Sequence, residues 1–198
     1  MNDTLNYYEK NADSFTAGTQ NVEFYDVQGR FIRHLPAGSR ILDFGCGSGR
    51  DTKFFLEQGY QVDATDGSEN LCRIAAEYAG IPVRQMLFSE LAAEDEYDGV
   101  WACSSILHLP KAELEDVLRK IIRAMKDGGY LYTSFRYGTF EGLRGERHFT
   151  DFTEETFEIF LRAFPELQIM EEWTSMDVRP GREDVKWLSV ILQKVNTD

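Results

Sequence analysis

The sequence predicts an α/β fold in which helices cover both faces of a mostly parallel sheet. Short apolar runs alternate with segments of helical periodicity, and one of these runs leads directly into a glycine-rich loop, which is typical of that fold class. The length points the same way, because 198 residues suit one domain and leave no room for two well-formed cores. We therefore expect residues 1–198 to form a single domain.

The first half of the chain alternates predicted helices and strands. Apolar residues recur at helical spacing over residues 22–35 and stop at Pro36, which disfavours helix in the residue before it. Short strands are predicted at residues 40–44, 60–65 and 83–87. A helix from the glycine-rich loop to Gly59 separates the first two strands. A second helix, capped by Ser68 and closed by Gly80, separates the next pair.

The second half continues this alternation and then changes. Strands are predicted at residues 97–102, 130–135, 167–173 and 187–195. A helix with a wide apolar stripe begins at Pro110, and another helix begins at Thr153. Residues 136–150 contain three glycines and little periodicity, and we expect them to be irregular. No helical pattern separates the last two strands, so they are predicted to pair antiparallel.

The charge balance limits the partners that the protein can have. Lysine and arginine number 21 against 34 aspartate and glutamate residues, so the formal net charge is −13. The summed field repels polyanions at long range, which makes a small molecule a better expectation than nucleic acid. Hydrophobic residues make up 42% of the chain, enough to bury a core, which excludes disorder for most of it.

Cysteine usage and the amino terminus indicate a compartment. Cys46, Cys72 and Cys103 are scattered and include no CxxC pair, which predicts neither a disulfide framework nor a metal site. Residues 1–10 show no basic start or apolar stretch, and no apolar run approaches membrane-spanning length. We therefore expect a cytoplasmic protein without a membrane span.

The sharpest functional signal is the segment from Asp43 to Gly49, which links a predicted strand to a predicted helix. Glycines at positions 45, 47 and 49 let the backbone turn tightly and approach a ligand closely. Asp66 ends the next strand, where its carboxylate can accept hydrogen bonds from both hydroxyls of a ribose. Together these features predict a ligand that contains adenosine.

The spacing of the glycines discriminates between adenosine ligands. Dinucleotide-binding loops read G-x-G-x-x-G and hold a pyrophosphate at a helix N-terminus, whereas this loop reads G-x-G-x-G and is followed by Arg50. Asp43 precedes the loop and disfavours a pyrophosphate, but a ligand with an ammonium and a sulfonium group would tolerate it. A nicotinamide-dependent oxidoreductase is therefore the weaker alternative.

Asp43, Gly45, Gly47 and Gly49 match the motif E/D-x-G-x-G-x-G, and on these residues the sequence resembles the class I S-adenosylmethionine-dependent methyltransferases. The similarity extends over residues 38–136 and includes the stretches 62–68, 97–102, 107–110 and 125–131. It implies a doubly wound, Rossmann-like three-layer sandwich. The implied sheet has seven strands in the order 3-2-1-4-5-7-6, mostly parallel with one antiparallel strand.

The resemblance also divides the chain by role. Residues 1–37 would form an N-terminal helical cap, residues 38–136 the cofactor-binding core, and residues 137–198 the loops, helix and terminal strand pair on the acceptor side.

The cofactor implied by the resemblance is S-adenosylmethionine, with S-adenosylhomocysteine as product. The residues implied in its binding are Asp43, Gly45, Cys46, Gly47, Gly49, Asp66, Gly67, Met86, Leu87, Ala102, Cys103 and Tyr8. The first two loop glycines would lie against the methionine part, Asp66 would bind the ribose, and residues 86 and 87 would flank adenine. Backbone groups of residue 102 or 103 would lie near the methionine amine. Tyr8 would contact the methionine carboxylate or the acceptor.

Three residues are candidates for acid–base chemistry at the acceptor. His108 follows the fourth strand, at the edge where open α/β sheets bind ligands, so it could orient or deprotonate an acceptor near neutral pH. A hydrogen-bonded structural histidine is the equally weighted alternative. Tyr137 and His148 are reserve candidates for the same role.

The segments after the fifth and sixth strands are rich in arginine and contain Arg136, Arg144, Arg147, Arg179 and Arg182. Some of them could converge on a small anionic acceptor, because guanidinium groups pair bidentately with carboxylates and phosphates. Solvated surface arginines are the competing interpretation.

The reaction that these features predict is direct displacement of the sulfonium methyl group onto a small-molecule acceptor, which would be anionic if the arginines converge on it. Such a displacement needs no metal and no covalent intermediate, and depends on in-line positioning and exclusion of water. Two alternatives stay open beside it. One is a catalytically inactive cofactor-binding regulatory protein, and the other is a methyltransferase directed at tRNA or DNA, which the net charge disfavours.

Overall fold

The computed structural model describes residues 3–196, which contain a seven-stranded sheet, a separate two-stranded hairpin and seven α-helices. The helices are α1 (Asp3–Lys10), α2 (Ala12–Ala17), α3 (Tyr25–Ile32), α4 (Arg50–Glu57), α5 (Glu69–Ala79), α6 (Lys111–Ala124) and α7 (Glu154–Leu161). The strands are β1 (Arg40–Phe44), β2 (Gln61–Asp66), β3 (Val83–Gln85), β4 (Tyr97–Ala102), β5 (Met125–Arg136), β6 (Glu141–Arg144), β7 (Arg147–Thr150), β8 (Leu167–Met176) and β9 (Lys186–Lys194).

The large sheet has the strand order β3-β2-β1-β4-β5-β9-β8. The pairs among β1 to β5 are parallel, whereas β9 runs antiparallel to both of its neighbours, β5 and β8. With β8 and β9 counted as the sixth and seventh strands of this sheet, the predicted order and the single antiparallel strand are confirmed. The chain turns from β1 toward β3 on one side and resumes at β4 on the other, so a crevice opens there at the carboxyl ends of the strands.

Apolar side chains cover both faces of the sheet. On one face the ring of Trp101 stacks on Tyr132 with centroids 4.0 Å apart, and Phe31 of α3 and Phe55 of α4 pack on the same indole. On the other face the apolar stripe of α6, which includes Leu118, is buried. Full burial of a large apolar side chain contributes about 1.5–3 kcal/mol, so these two layers hold the carboxyl ends of the strands in place.

Two predicted helix starts are confirmed by their capping bonds. The Ser68 hydroxyl accepts a hydrogen bond from the Leu71 N–H at 3.1 Å, and α5 ends at Gly80, which has φ +76°. The Thr153 hydroxyl accepts a hydrogen bond from the Thr156 N–H at 3.3 Å at the start of α7.

The prediction that residues 136–150 are irregular is wrong, because they contain the hairpin β6–β7. Gly142 and Gly145 have φ of +146° and +63°, so glycines that suggested irregularity shape the hairpin instead. Each strand has four residues, too few to show the alternation that identifies a strand in a sequence.

Other boundaries also differ from the sequence prediction. The helix predicted over residues 22–35 is limited to α3, and the third strand ends at Gln85. Strand β5 begins at Met125 instead of residue 130, because Met125 pairs with Tyr97 ahead of a register shift. Within residues 3–196, every helix is too short or too polar to span a bilayer.

Candidate active site

A cavity of about 990 Å³ opens at the carboxyl edge of the sheet, over the crevice between β1 and β4. Ligand pockets typically enclose about 300–1,000 Å³, so the cavity has room for a large ligand or for two smaller ones. Its walls contain ten of the residues predicted from the sequence: Tyr8, Gly45, Cys46, Gly47, Asp66, Gly67, Met86, Leu87, Cys103 and His108. The fold therefore brings most of the predicted site to one place.

The glycine-rich loop, residues 45–49, leaves β1 through three left-handed glycines. Gly45, Gly47 and Gly49 have φ of +85°, +56° and +79°. A Cβ on Gly45 would lie 2.6 Å from the Cβ of Ser105, and a Cβ on Gly47 would lie 3.1 Å from the ring of Phe15. Because side chains are excluded at both positions, the loop lies close against the cavity wall and presents its backbone.

The carboxylate of Asp66 is fixed at the end of β2. One oxygen accepts a hydrogen bond from the Gly47 N–H and the other from the Ser68 N–H, both at 2.9 Å. Burial raises the pKa of Asp66, while the backbone N–H groups of Ser68, Gly47 and Gly67 act in the opposite direction. A carboxylate offers about four acceptor positions, so the two oxygens can still accept hydroxyl donors from a ligand.

Asp43, Gly49 and Ala102 lie beneath the cavity and do not line it. The buried Asp43 carboxylate accepts a hydrogen bond from the Thr52 hydroxyl at 2.5 Å. Burial and, after it, the charge of Asp51 raise the pKa of Asp43 to about 8. A Cβ on Gly49 would lie 3.0 Å from the backbone of α5. Asp43 and Gly49 thus support the loop from below, and the cofactor contacts expected of them and of Ala102 stay predictions.

An ion pair that follows the loop and lines the cavity, Arg50–Asp51, was missed by the sequence analysis. The Asp51 carboxylate accepts hydrogen bonds from Arg50 Nε at 2.8 Å, Gln28 Nε2 at 2.7 Å and Trp101 Nε1 at 2.8 Å. Burial acts to raise the pKa of Asp51, but the Arg50 guanidinium and these hydrogen bonds hold it below its usual value. The signal that could have revealed this pair in the sequence is an arginine next to an aspartate directly after the glycine-rich loop.

Tyr8 and His108 form a hydrogen-bonded pair in the cavity wall. The Tyr8 hydroxyl lies 2.8 Å from His108 Nε2, and His108 Nδ1 lies 2.7 Å from the carbonyl oxygen of His148. A carbonyl oxygen can only accept, so Nδ1 carries the proton and Nε2 accepts the proton of the Tyr8 hydroxyl. Arg147 donates a further hydrogen bond to the Tyr8 oxygen at 3.3 Å.

The hydrogen bonds of His108 and its burial affect whether it can act as a base. Burial lowers the pKa of His108 to about 4, so the imidazole is neutral near neutral pH. Its one lone pair at Nε2 is occupied by Tyr8. The geometry therefore favours His108 as the residue that positions the Tyr8 hydroxyl, and a base role would require Tyr8 to move first.

Replacing His108 by asparagine is expected to make the free energy of unfolding fall less at acid pH than it does in the wild type. The unfolded chain binds a proton at the usual pKa of 6.5, whereas the folded protein binds it only at about 4. The contribution of His108 is thus fully present above pH 6.5 and is lost as the pH falls toward 4, an effect of about 2–3 kcal/mol. Urea unfolding from neutral pH down to about pH 4 measures it.

The control for this measurement is His34→Asn. His34 is half-buried and lies 2.8 Å from Glu171, away from the cavity. Asp43 contributes with the opposite sign over this pH range, but equally in all three proteins, so its contribution cancels. An acid-side loss in His108→Asn as large as in the wild type would show that the imidazole is not held neutral.

The reserve candidates Tyr137 and His148 lie outside the cavity lining. The Lys186 ammonium lies 3.7 Å from the centre of the Tyr137 ring, and a hydrogen bond with Glu154 raises the pKa of the Tyr137 hydroxyl. His148 takes part through its backbone: its carbonyl oxygen accepts from His108, and its N–H donates to the Thr4 hydroxyl at 2.9 Å. The acid–base role of these two side chains stays a prediction, and their place outside the cavity lining does not favour it.

Four of the five arginines singled out from the sequence line the cavity: Arg136, Arg147, Arg179 and Arg182. Arg144 lies outside the lining and donates two hydrogen bonds to the buried Asp151 carboxylate. The structure thus brings most of the cluster to the same cavity as the glycine-rich loop.

Solved structures with the same fold include the 1,6-didemethyltoxoflavin N1-methyltransferase of Burkholderia thailandensis, with 1,6-didemethyltoxoflavin and S-adenosylhomocysteine bound. The TM-score is 0.75 and the identity 23%, over 97% of this chain and 85% of that one. A methyltransferase of Methanosarcina mazei gives a TM-score of 0.75 at 18% identity, over 89% of this chain and 100% of that one. At these identities the likeness establishes the fold, a doubly wound Rossmann-like sandwich.

The sequence of residues 41–129 matches the methyltransferase domain family. Over these residues the chain is similar to methyltransferase domains. The matched residues run from β1 to the beginning of β5 and include the glycine-rich loop and Asp66. Arg136, Arg147, Arg179 and Arg182, which also line the cavity, lie beyond the matched residues.

Curated relatives support the domain assignment over part of their length. An uncharacterized methyltransferase of Staphylococcus carnosus is 25% identical over 121 residues, which cover 59% of this chain and 58% of the relative. The ubiquinone biosynthesis O-methyltransferase of Xanthomonas axonopodis pv. citri is 32% identical over 106 residues, 50% of this chain and 44% of the relative. The chain thus spans about half the length of the curated relatives it matches.

Proposed function

We propose that the protein transfers the methyl group of S-adenosylmethionine to a small-molecule nucleophile. The main support for the proposal is that the glycine-rich loop and Asp66 line the same cavity of about 990 Å³. This cavity extends well past both of them. The Burkholderia neighbour, which has S-adenosylhomocysteine and its acceptor bound, supports the same use of this fold.

The cofactor half of the cavity lies over β1, β2 and β4. Asp66, held by two backbone N–H groups, would accept the ribose hydroxyls, and the bare backbone of Gly45 and Gly47 would lie against the methionine part. Leu87 lines the cavity and is 46% exposed, so an adenine ring packed on it and on Met86 would bury apolar surface. S-adenosylmethionine supplies the electrophilic methyl group when bound.

Helix α1 supplies the cover that excludes water. The Glu9 carboxylate accepts a hydrogen bond from the Ser68 hydroxyl at 2.6 Å, and the Asn70 amide donates to the Glu9 carbonyl oxygen at 3.1 Å. These bonds fasten α1 to the junction of β2 and α5 and place Tyr8 in the cavity wall. A covered cavity strengthens the polar contacts inside it and keeps competing water away from the methyl group.

Three regions then have separate roles. We assign residues 1–37 to the cap, residues 38–136 to the cofactor-binding core and residues 137–198 to the acceptor side. A small-molecule acceptor is favoured over tRNA because the net charge of −13 repels a polyanion.

The test is methyl transfer from labelled S-adenosylmethionine. The purified protein is incubated with a panel of small carboxylated, phenolic and amine nucleophiles, and in a separate arm with tRNA, and S-adenosylhomocysteine is measured. Label in a small acceptor is the expected result. Label in tRNA alone would contradict the small-molecule proposal, and cofactor binding without transfer in either arm would favour a cofactor-binding regulatory protein.

A further inference from the structure

Three arginines in the cavity have no carboxylate partner among residues 3–196. Arg136, Arg147 and Arg182 all line the cavity, and within these described residues no Asp or Glu oxygen lies within 4.0 Å of their guanidinium groups. In a chain with a net charge of −13, three unpaired cations on one wall need a physical explanation.

Of the three unpaired arginines, Arg136 most clearly lacks a hydrogen-bond acceptor. It is the last residue of β5, and its Nε is shielded from solvent with no hydrogen-bond partner in the described part of the chain. Its guanidinium lies over the ring of Phe149, 4.8 Å from the centroid. Burial and the nearby charges of Arg144 and Arg182 lower the pKa of Arg136, which shows that like charges surround it. A buried donor without an acceptor is unfavourable unless a ligand supplies the acceptor.

Two buried carboxylates, Asp151 and Asp177, are already bound by other arginines. Asp151 accepts from both terminal nitrogens of Arg144, with Nη1 at 2.8 Å. Asp177 accepts from Arg179 Nε at 2.9 Å and from its terminal nitrogen. Within residues 3–196, Arg144 and Arg179 are thus paired with carboxylates, and the other three of the four clustered arginines that line the cavity are not.

The position of the unpaired arginines separates them from the cofactor half. Arg136 ends β5, and Arg182 belongs to the segment that joins β8 to β9. In the sheet order, β5 and β9 lie beyond β4, whereas the glycine-rich loop and Asp66 follow β1 and β2. Strands are spaced by about 4.8 Å, so β5 lies about 10 Å from β1 across the sheet. An anion bound by Arg136 and Arg182 would therefore lie on the acceptor side.

We propose that the methyl acceptor is an anion whose carboxylate or phosphate group binds Arg136 and Arg182, with Arg147 completing the positive wall. The inference rests on the proposed methyl transfer and adds the substrate class to it. A bound anion would give the orphaned Nε of Arg136 an acceptor and would fix the acceptor by a bidentate guanidinium contact. Arg147 also donates to Tyr8, so the same wall would connect the acceptor to the Tyr8–His108 pair.

The experiment measures anion binding directly, in protein already saturated with S-adenosylhomocysteine. Benzoate, its neutral counterpart benzamide, and inorganic phosphate are titrated while the ¹H–¹⁵N signal of Arg136 Nε is followed by NMR. We expect saturable binding of benzoate or phosphate, none of benzamide, and a loss of affinity of about 10-fold or more in Arg136→Gln and in Arg182→Gln. The control Arg162→Gln, an exposed arginine after α7, should bind like the wild type.

Each other outcome has a defined meaning. Equal binding of benzamide, an unmoved Arg136 signal, or unchanged affinity in both cavity variants would overturn the anionic subsite. The titrations are repeated without S-adenosylhomocysteine; anion binding that occurs only there would show that the arginines hold the cofactor carboxylate, which also overturns the anionic subsite. Binding of S-adenosylhomocysteine is recorded first on the same sample. Its absence would refute the proposed function, while the anion titration would still test the arginines.

Discussion

Replacing Asp66 by alanine is expected to weaken S-adenosylmethionine binding by about 100-fold or more. The side chain would lose its hydrogen bonds to the ribose hydroxyls, and charge-assisted hydrogen bonds are the strong ones. The same change would remove the acceptor for the Gly47 N–H and the Ser68 N–H, which hold the glycine-rich loop against β2. Isothermal titration calorimetry of the variant and the wild type measures the effect.

Asp63→Ala is the matched control for Asp66→Ala. Asp63 lies on the same strand but its partner is Arg40, 2.7 Å away at the half-exposed surface. Loss of an exposed ion pair contributes little, so cofactor affinity should stay within about twofold of the wild type. Equal affinities for the two variants would show that Asp66 does not contact the ligand.

Gly45→Ala is expected to destabilise the fold by about 3 kcal/mol or more, through backbone strain and overpacking together. Gly45 has φ +85°, and a Cβ there would lie 2.6 Å from the Cβ of Ser105 and 3.1 Å from the ring of Phe88. Ser105 has little freedom to move, because its hydroxyl donates to the Phe44 carbonyl oxygen at 2.7 Å. Urea unfolding measures the change in the free energy of unfolding.

The control for this steric effect is Gly59→Ala. Gly59 has φ +84°, the same backbone strain, but a Cβ would meet no atom within 4 Å. This variant should lose only about 1–2 kcal/mol. Equal losses of unfolding free energy in Gly45→Ala and Gly59→Ala would mean that the cavity wall moves to make room for the added methyl group. The close approach of the loop to that wall would then not limit position 45 to glycine.

The core of the fold was predictable because its signals are local. Buried strands such as residues 40–44 read as short apolar runs, and Ser68 and Gly80 mark the start and end of a helix by capping chemistry alone. The glycine-rich loop and Asp66 were predictable for the same reason, since each requirement, a left-handed turn or a carboxylate at a strand end, is met by one residue type at one position.

The part of the cavity formed by residues 136–182 and α1 was harder to predict because its geometry depends on contacts between distant segments. Tyr8 meets His108 across 100 positions in the chain, and no local pattern encodes that distance. Arg144 pairs with Asp151, and Arg136 does not. The sequence alone presents both arginines as possible partners and does not show which of them is left unpaired. The hairpin β6–β7, which carries Arg144 and Arg147, was missed because its strands are short.

The most direct test of the account is calorimetric titration of the wild-type protein with S-adenosylmethionine, S-adenosylhomocysteine and NAD. The G-x-G-x-G spacing of the loop disfavours a pyrophosphate, while the Asp66 carboxylate in the cavity suits the ribose of any adenosine. We predict saturable, one-site binding of both S-adenosyl compounds and no measurable binding of NAD. Binding of NAD alone would contradict the methyltransferase proposal and assign the cavity to hydride-transfer chemistry.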